Sequence, residues 1–372
     1  MRSIDIMTNM ATSALPGADQ AVLIIGGYGA VGGGIVRTLL RDSHCAVLVA
    51  GSNLGRARAF CQDIDARAAA VALAEGDLPV PDALLHRAAV VVNCVENLSP
   101  RIAMQCRAAG IHYVDVSATA AVLDAVQAQW AGRGPLRSSA ILSVGVAPGI
   151  TNLLARQARD LLGPLRHVDI TVLLGAGEVH GLAAIRWTLD QLGAAFTVKT
   201  QAGRQTVRAF GDARTARLPS PHGERVAYRF DFSDQHTLPR TLTLPSAATW
   251  LCFDSRPVTW AFAWMARLGI TRRVSVDILA KWLVWAGAHV PLGGARFLVQ
   301  VDAIGQAGDR TSWAVEGDGE AACTAAVASV VARRLLAGTL PSGEHHIKEV
   351  LTLDEVLQAC PRDLRSAVSG AG

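Results

Sequence analysis

The sequence predicts an α/β protein in two parts: a doubly wound parallel sheet, followed by an α+β domain built on an antiparallel sheet. Three observations predict it. Apolar, strand-length runs alternate with helix-length amphipathic stretches from residue 21 to about residue 146. A glycine-rich turn follows the first run. After Pro148 the rhythm changes to alternating, two-sided runs joined by short turns. At 372 residues the chain is longer than one core ordinarily supports, so two domains are expected.

The strand-like runs of the first part are residues 21–25, 46–50, 69–73, 88–94, 112–116 and 140–144, with helices expected over 30–40, 54–62, 100–109 and 119–130. The second part reads as a helix over 150–162, a strand over 168–174 and a helix over 182–192. Alternating strands follow at 196–200, 205–210, 225–232, 297–304 and 311–315. Residues 201–204 and 305–310 are turn-like and suggest hairpins, and an alanine-rich stretch over 320–336 reads as a long helix. The resulting division is a loose polar tail at 1–20, a parallel-sheet domain at 21–147, an α+β domain at 148–336 with one sheet face free for a helix layer or a partner subunit, and a C-terminal segment at 337–372 returning to the first domain.

Residues 23–34 read LIIGGYGAVGGG, six glycines in twelve positions directly behind a buried-type strand. Gly27, Gly29 and Gly32 have the G-x-G-x-x-G spacing, and a helix follows. A strand, this turn and a helix inside a βαβ unit form a Rossmann dinucleotide site, in which free N–H groups at the helix start face a pyrophosphate. Tyr28, Ala30 and Val31 belong to the same loop. The second strand ends VLVAGSNLG, with no carboxylate until Asp63 where an NAD-selective site would carry one. Ser52 and Asn53 can donate hydrogen bonds there, and Arg56 and Arg58 follow closely, a pattern that suits the 2′-phosphate of NADP(H).

Half of the residues are hydrophobic and 18% are charged, as in a compact globular protein. The net charge of +4 is spread without a long basic run, so no nucleic-acid partner is expected. Seven cysteines include no C-x-x-C pair, which argues against zinc or a disulfide framework and for a reducing compartment. No signal-like apolar segment opens the chain, and the most apolar windows, 260–270 and 274–290, are interrupted by charges. No membrane partner, no metal and a cytoplasmic location are the expectations.

Six segments together resemble the saccharopine dehydrogenase-like NADP-binding family: GGYGAVG at 26–32, VVVNCV at 90–95, AAGIHYVDVS at 108–117, VGVAPGITNLLA at 144–155, LLGAGEVHG at 173–181 and LPSGEHHIKEVLTLDEVL at 340–357. The resemblance implies an often dimeric protein that transfers a hydride between NAD(P)H and a C=N bond of a small amine- and carbonyl-derived substrate. It also implies that Asn93, Cys94 and Val95 line the nicotinamide side and that residues 113–117 face the substrate. One departure stands out. Saccharopine reductases carry Asp before the Pro-Gly and Asp-His after the Ile, where this chain has Ala147, Thr151 and Asn152. Saccharopine itself is therefore not the expected substrate.

Imine reduction needs orientation, a dry pocket and a proton donor. His180, between a strand and a helix in GEVHG, is the candidate donor, with Asp115 and Glu178 as the other acid–base candidates. Asp115 can equally pair with a neighbouring amide. Solvent is the expected environment of both His345 and His346. Trp250, Trp260, Trp264, Trp282 and Trp285 fall at helical spacings compatible with core or interface packing, or with an aromatic wall around a bulky apolar substrate. Two other functions stay in view: a carbonyl reductase, disfavoured because no tyrosine has a lysine four residues on, and a non-catalytic NADP-binding redox sensor.

Overall fold

A computed structural model describes residues 21–73, 79–131, 137–178, 181–290, 293–360 and 364–369. The first domain is a parallel sheet of β1 (Ala21–Ile25), β2 (Val47–Gly51), β3 (Ala68–Ala72), β4 (Ala88–Asn93), β5 (His112–Asp115) and β6 (Ser139–Leu142). All five residues of β1 and of β2 are buried, which is why these strands read as unbroken apolar runs. The strand order is β6-β5-β4-β1-β2-β3, so it reverses between β1 and β4, and the crevice at their C-terminal ends is where such a sheet binds a ligand.

The second sheet contains β7 (Leu165–Leu174), β10 (Ala213–Leu218), β11 (Gly223–Arg229), β12 (Ser246–Phe253), β13 (Arg296–Gly305), β14 (Arg310–Asp318) and β16 (Arg365–Ser369), in the order β10-β11-β12-β7-β13-β14-β16. It is mixed rather than purely antiparallel, because β7 and β12 pair in parallel. The long crossover between them brings the chain back in the same direction, which a hairpin cannot do. β8 (Ala195–Thr200) and β9 (Gly203–Arg208) form a separate two-stranded hairpin. One face of the sheet, carrying Val168, Ile170, Val172, Val299 and Val301, joins the main core under helices Thr151–Leu162 and Asp234–Thr241. The opposite face is divided: Leu173, Ala216, Ala227, Cys252 and Leu298 form a small buried apolar cluster, and beside it Arg214 bridges Asp169 at 2.6 Å and Asp302 at 3.0 Å.

The C-terminal part of the chain divides between the two sheets. β15 (Gly343–His346) extends the first sheet beside β6, whereas β16 pairs with β14 in the second. Helix Glu320–Leu336, grouped by sequence with the second domain, packs on helix Ala30–Asp42 of the first, with Gly34 against Ala325. Side chains of both domains thus form one continuous core. Among the described residues no helix is long and apolar enough to cross a membrane.

Candidate active site

The glycine loop is shaped by close approach. Gly26 has φ +79°, and a Cβ at Gly32 would lie 2.2 Å from the Gly26 carbonyl oxygen, so the turn folds back onto the helix only without a side chain there. Gly29 is the N-cap of helix Ala30–Asp42, which has no side-chain cap and no acid in its first turn. Gly29 and Ala30 are exposed and Val31 half-exposed, leaving the positive end of the helix open to an anion.

At the end of β2 four residues form a second anion-accepting corner. The Tyr28 hydroxyl accepts the Asn53 N–H at 3.0 Å and lies 3.5 Å from Ser52 Oγ. The Arg56 guanidinium sits 4.9 Å from the centre of the Tyr28 ring. Asn53 Oδ1 accepts the Arg56 N–H and caps helix Leu54–Gln62, so only its amide nitrogen is left to face a ligand. Gly27, Tyr28, Gly29, Ser52, Asn53 and Arg56 are brought together, and Arg58 is exposed two residues farther along the helix.

Across the crevice, the Cys94 N–H donates to the Ile25 carbonyl, and Gly26 lies against Cys94 and Val95. Asn93 is buried. Its amide donates to the Val95 carbonyl at 3.1 Å and to the Tyr113 hydroxyl at 3.3 Å, and its oxygen accepts the Val95 N–H at 3.2 Å. Asn93 therefore shapes the loop. Burial, with Asp115 nearby, pushes the Cys94 thiol up to about 12, so it stays a neutral wall residue.

Two of the three proposed acid–base residues have other tasks. Asp115 has no exposed surface; it accepts the Tyr113 O–H and, at 2.7 Å, the Ser117 N–H. Held by these two bonds, the Asp115 carboxylate braces the loop after β5. Glu178 accepts the N–H groups of Glu320 at 3.0 Å and Ala321 at 3.1 Å, capping helix Glu320–Leu336. His180 lies outside the described residues; the next residue, Gly181, is placed against Ala30, beside the glycine loop. Asp254 anchors the same loop by accepting the N–H groups of Ala176 and Gly294.

Sequence reasoning missed two acids. Glu96 accepts the N–H groups of Ala118 and Thr119 and the Thr119 hydroxyl, while Thr119 in turn accepts the Trp187 indole N–H. Burial raises the Glu96 carboxyl despite these bonds. Asp234 is fully buried and accepts from Thr151 Oγ1 and Asn152 Nδ2, both at 2.7 Å. These are two of the positions where the family resemblance departs, so the acid here comes from a different element. Burial pushes Asp234 up to about 6. The Ser233 N–H donates to the Ala118 carbonyl, tying this helix start to the loop after β5. Only a buried partner distinguishes Asp234 from an ordinary first-turn helix acid, and no sequence signal reports that.

Two other expectations are corrected. His346 is buried rather than solvent-facing, with Nδ1 2.8 Å from Ser143 Oγ, and burial lowers it to about 4. Of the readings open for the tryptophans, core packing is excluded for Trp260, Trp264, Trp282 and Trp285, which are exposed; Trp250 is half-buried and donates to Asp169 at 2.7 Å. Among the described residues there is no group of three His, Cys, Asp or Glu able to hold a metal.

Residues 22–136 match the family model described as the saccharopine dehydrogenase NADP binding domain. The first domain belongs to that family. Its exposed helix start and the Ser52–Arg56 corner fit NADP(H), which the chain is built to bind. A search among curated proteins finds no matching sequence. Among solved structures, apo saccharopine dehydrogenase (L-Glu forming) from Saccharomyces cerevisiae superposes with a TM-score of 0.62 at 13% identity, covering 94% of this chain and 100% of that one. That similarity extends the shared fold beyond the NADP-binding domain. A mutant meso-dapdh with DAP from Clostridium tetani gives 0.42 at 12% identity over 90% of this chain and 95% of that one. A probable dehydrogenase from Thermotoga maritima gives 0.42 at 10% identity, with coverages of 91% and 93%.

Proposed function

We propose that the protein is an NADPH-dependent oxidoreductase acting on a C=N bond, an imine or iminium formed from an amine and a carbonyl compound. Bound NADPH supplies the hydride. The chain's own residues orient the coenzyme through the glycine loop and the Tyr28–Arg56 corner, and Asn93 holds the wall beside its reactive end.

The observation that carries the choice of C=N over C=O is the fate of the tyrosines and lysines. A carbonyl reductase must protonate an alkoxide, whereas an iminium carbon accepts a hydride without that demand. Tyr28 is held against Ser52 and Asn53, Tyr113 is buried and donates to Asp115, and Tyr228 stacks on Phe210. Lys199 lies on the β8–β9 hairpin, Lys281 on helix Val276–His289, and Lys348 is buried beside Glu349. No tyrosine or lysine is left to serve as that acid. For an imine that arrives unprotonated, His180 is the proposed proton donor, supported by its sequence position next to Gly181. The substrate is not expected to be saccharopine, because Thr151 and Asn152 are neutral and turned to Asp234.

The test is NADPH oxidation with an amine and a carbonyl compound together, and with each alone. Turnover that requires both supports the proposal. Equal turnover with the carbonyl alone identifies a carbonyl reductase, and binding without turnover across a broad panel identifies a sensor. We further propose a homodimer, supported by the family resemblance and by the polar part of the second sheet's outer face, where Asp169, Arg214, Gln300 and Asp302 line an open concavity of about 720 Å³. Light scattering should give twice 39.1 kDa, and a monomer at micromolar concentration would reject it.

A further inference from the structure

Helices Arg256–Leu268 and Val276–His289 carry their large apolar side chains on the outside. Trp260, Trp264 and Leu268 form one stripe, at a spacing of four, and Ile278, Trp282 and Trp285 form another. Ile278 is 64% exposed, Trp260 62% and Trp282 59%. Inward, Thr259 and Phe262 of the first helix and Ala280 and Ala286 of the second are buried, and Val258, Met265, Val276, Leu279 and Leu283 pack against the core. Each helix therefore has an ordinary apolar inner face and a further apolar stripe open to solvent, and an exposed apolar surface of this kind marks something that covers it.

The charges around the stripes say what that is. Arg267, Arg272, Arg273 and Lys281 are all exposed, and none is in an ion pair among the described residues. The single acid on these helices, Asp277, is engaged by Arg186 at 2.8 Å. The indole N–H groups of Trp260, Trp264, Trp282 and Trp285 have no hydrogen-bond partner among the described residues, leaving each ring with an apolar body and a polar edge. Tryptophan interleaved with arginine and lysine on an exposed helical face matches the boundary between lipid headgroups and acyl chains. A second copy of the chain fits less well, since a two-fold contact would set this positive excess against itself. The absence of a membrane-spanning helix bears on crossing a bilayer, not on lying against one.

We propose that the exposed tryptophan stripes of these two helices dock on an anionic lipid surface. The basic residues meet the phosphate headgroups, and the indoles and Ile278 enter the interface. This does not depend on the reaction assigned above.

The test is co-sedimentation of the full-length protein with phosphatidylcholine vesicles, with and without phosphatidylglycerol. Binding is expected with the anionic lipid, weakening as salt rises, and roughly tenfold or more weaker on phosphatidylcholine alone. Ile278→Glu with Trp282→Glu should abolish binding while leaving the melting temperature within a few degrees, because both side chains are exposed. Arg272→Glu with Arg273→Glu should weaken binding by about tenfold or more. Quenching of wild-type tryptophan fluorescence by brominated acyl chains gives a readout that needs no variant. No binding to anionic vesicles, or binding that survives Ile278→Glu with Trp282→Glu, overturns the proposal. A dimer that the same pair of substitutions converts to a monomer, without lipid binding by the wild type, assigns the face to a second copy instead.

Discussion

The Tyr28 ring lies over the backbone of Gly51, so close that a Cβ at Gly51 would come 2.3 Å from the ring. The contact holds Tyr28 under the Arg56 guanidinium and places its hydroxyl at the Asn53 N–H. The corner proposed to read the adenosine end of the coenzyme thus depends on residues from two separate loops.

Arg56→Ala is expected to weaken NADPH binding by about 1.5–3 kcal/mol, the cost of a charge-assisted contact to phosphate, and to leave NADH binding nearly unchanged. Fluorescence titration with both coenzymes measures it. An equal loss for the two would place Arg56 away from the 2′-phosphate.

Glu178→Ala should behave as the loss of a helix cap. Two backbone N–H groups at the start of helix Glu320–Leu336 lose their acceptor, with an expected destabilisation of about 1–2 kcal/mol. Turnover per folded molecule should change little. A large fall in turnover at unchanged melting temperature would restore Glu178 to the chemistry.

The elements that build the candidate coenzyme corner were legible in the sequence and the partners of the candidate acids were not, for a physical reason. Glycine spacing, a strand that is apolar throughout and a missing acid at the end of β2 are local features, and each maps onto local backbone. Glu178 looks like a free acid in the sequence because the backbone N–H groups that recruit it belong to Glu320 and Ala321, more than a hundred residues away. Asp115 is engaged by Tyr113 and Ser117, each two residues away, but the burial that encloses all three comes from the packed sheet and has no local signal. β15 was not legible as a strand because its sequence, GEHH, is polar, and its pairing depends on the exposed edge of β6. The tryptophan spacing did report that the rings share a helical face. Periodicity cannot say whether such a face turns inward or outward.

His180→Ala is expected to lower turnover on the order of a hundredfold, the usual scale for losing a general acid, with NADPH affinity nearly unchanged. His180→Gln should restore little, since an amide does not release a proton at neutral pH. Turnover within a few-fold of wild type in both variants would move proton delivery to a bound water or to the solution.

Asp234 makes a prediction about pH. Burial raises its carboxyl to about 6, from an ordinary value near 4, so the folded chain keeps a proton that the unfolded chain has already released. In that window the native state binds more protons, and the contribution of Asp234 to stability falls as pH rises. It is fully favourable below about 4 and lost by the time the pH has passed about 6. The difference between the two ends is on the order of 2–3 kcal/mol. Asp234→Asn keeps an oxygen that can accept from Thr151 and Asn152 but has no proton to lose. Wild type and variant should therefore have similar stabilities near pH 4 and separate as pH rises, with the variant the more stable above about 6. Urea denaturation across this range isolates the effect, because every other titrating group is common to both proteins and cancels in the difference. Parallel stability curves would mean that Asp234 ionises in the folded chain as it does in water, with Thr151 and Asn152 compensating fully for its burial.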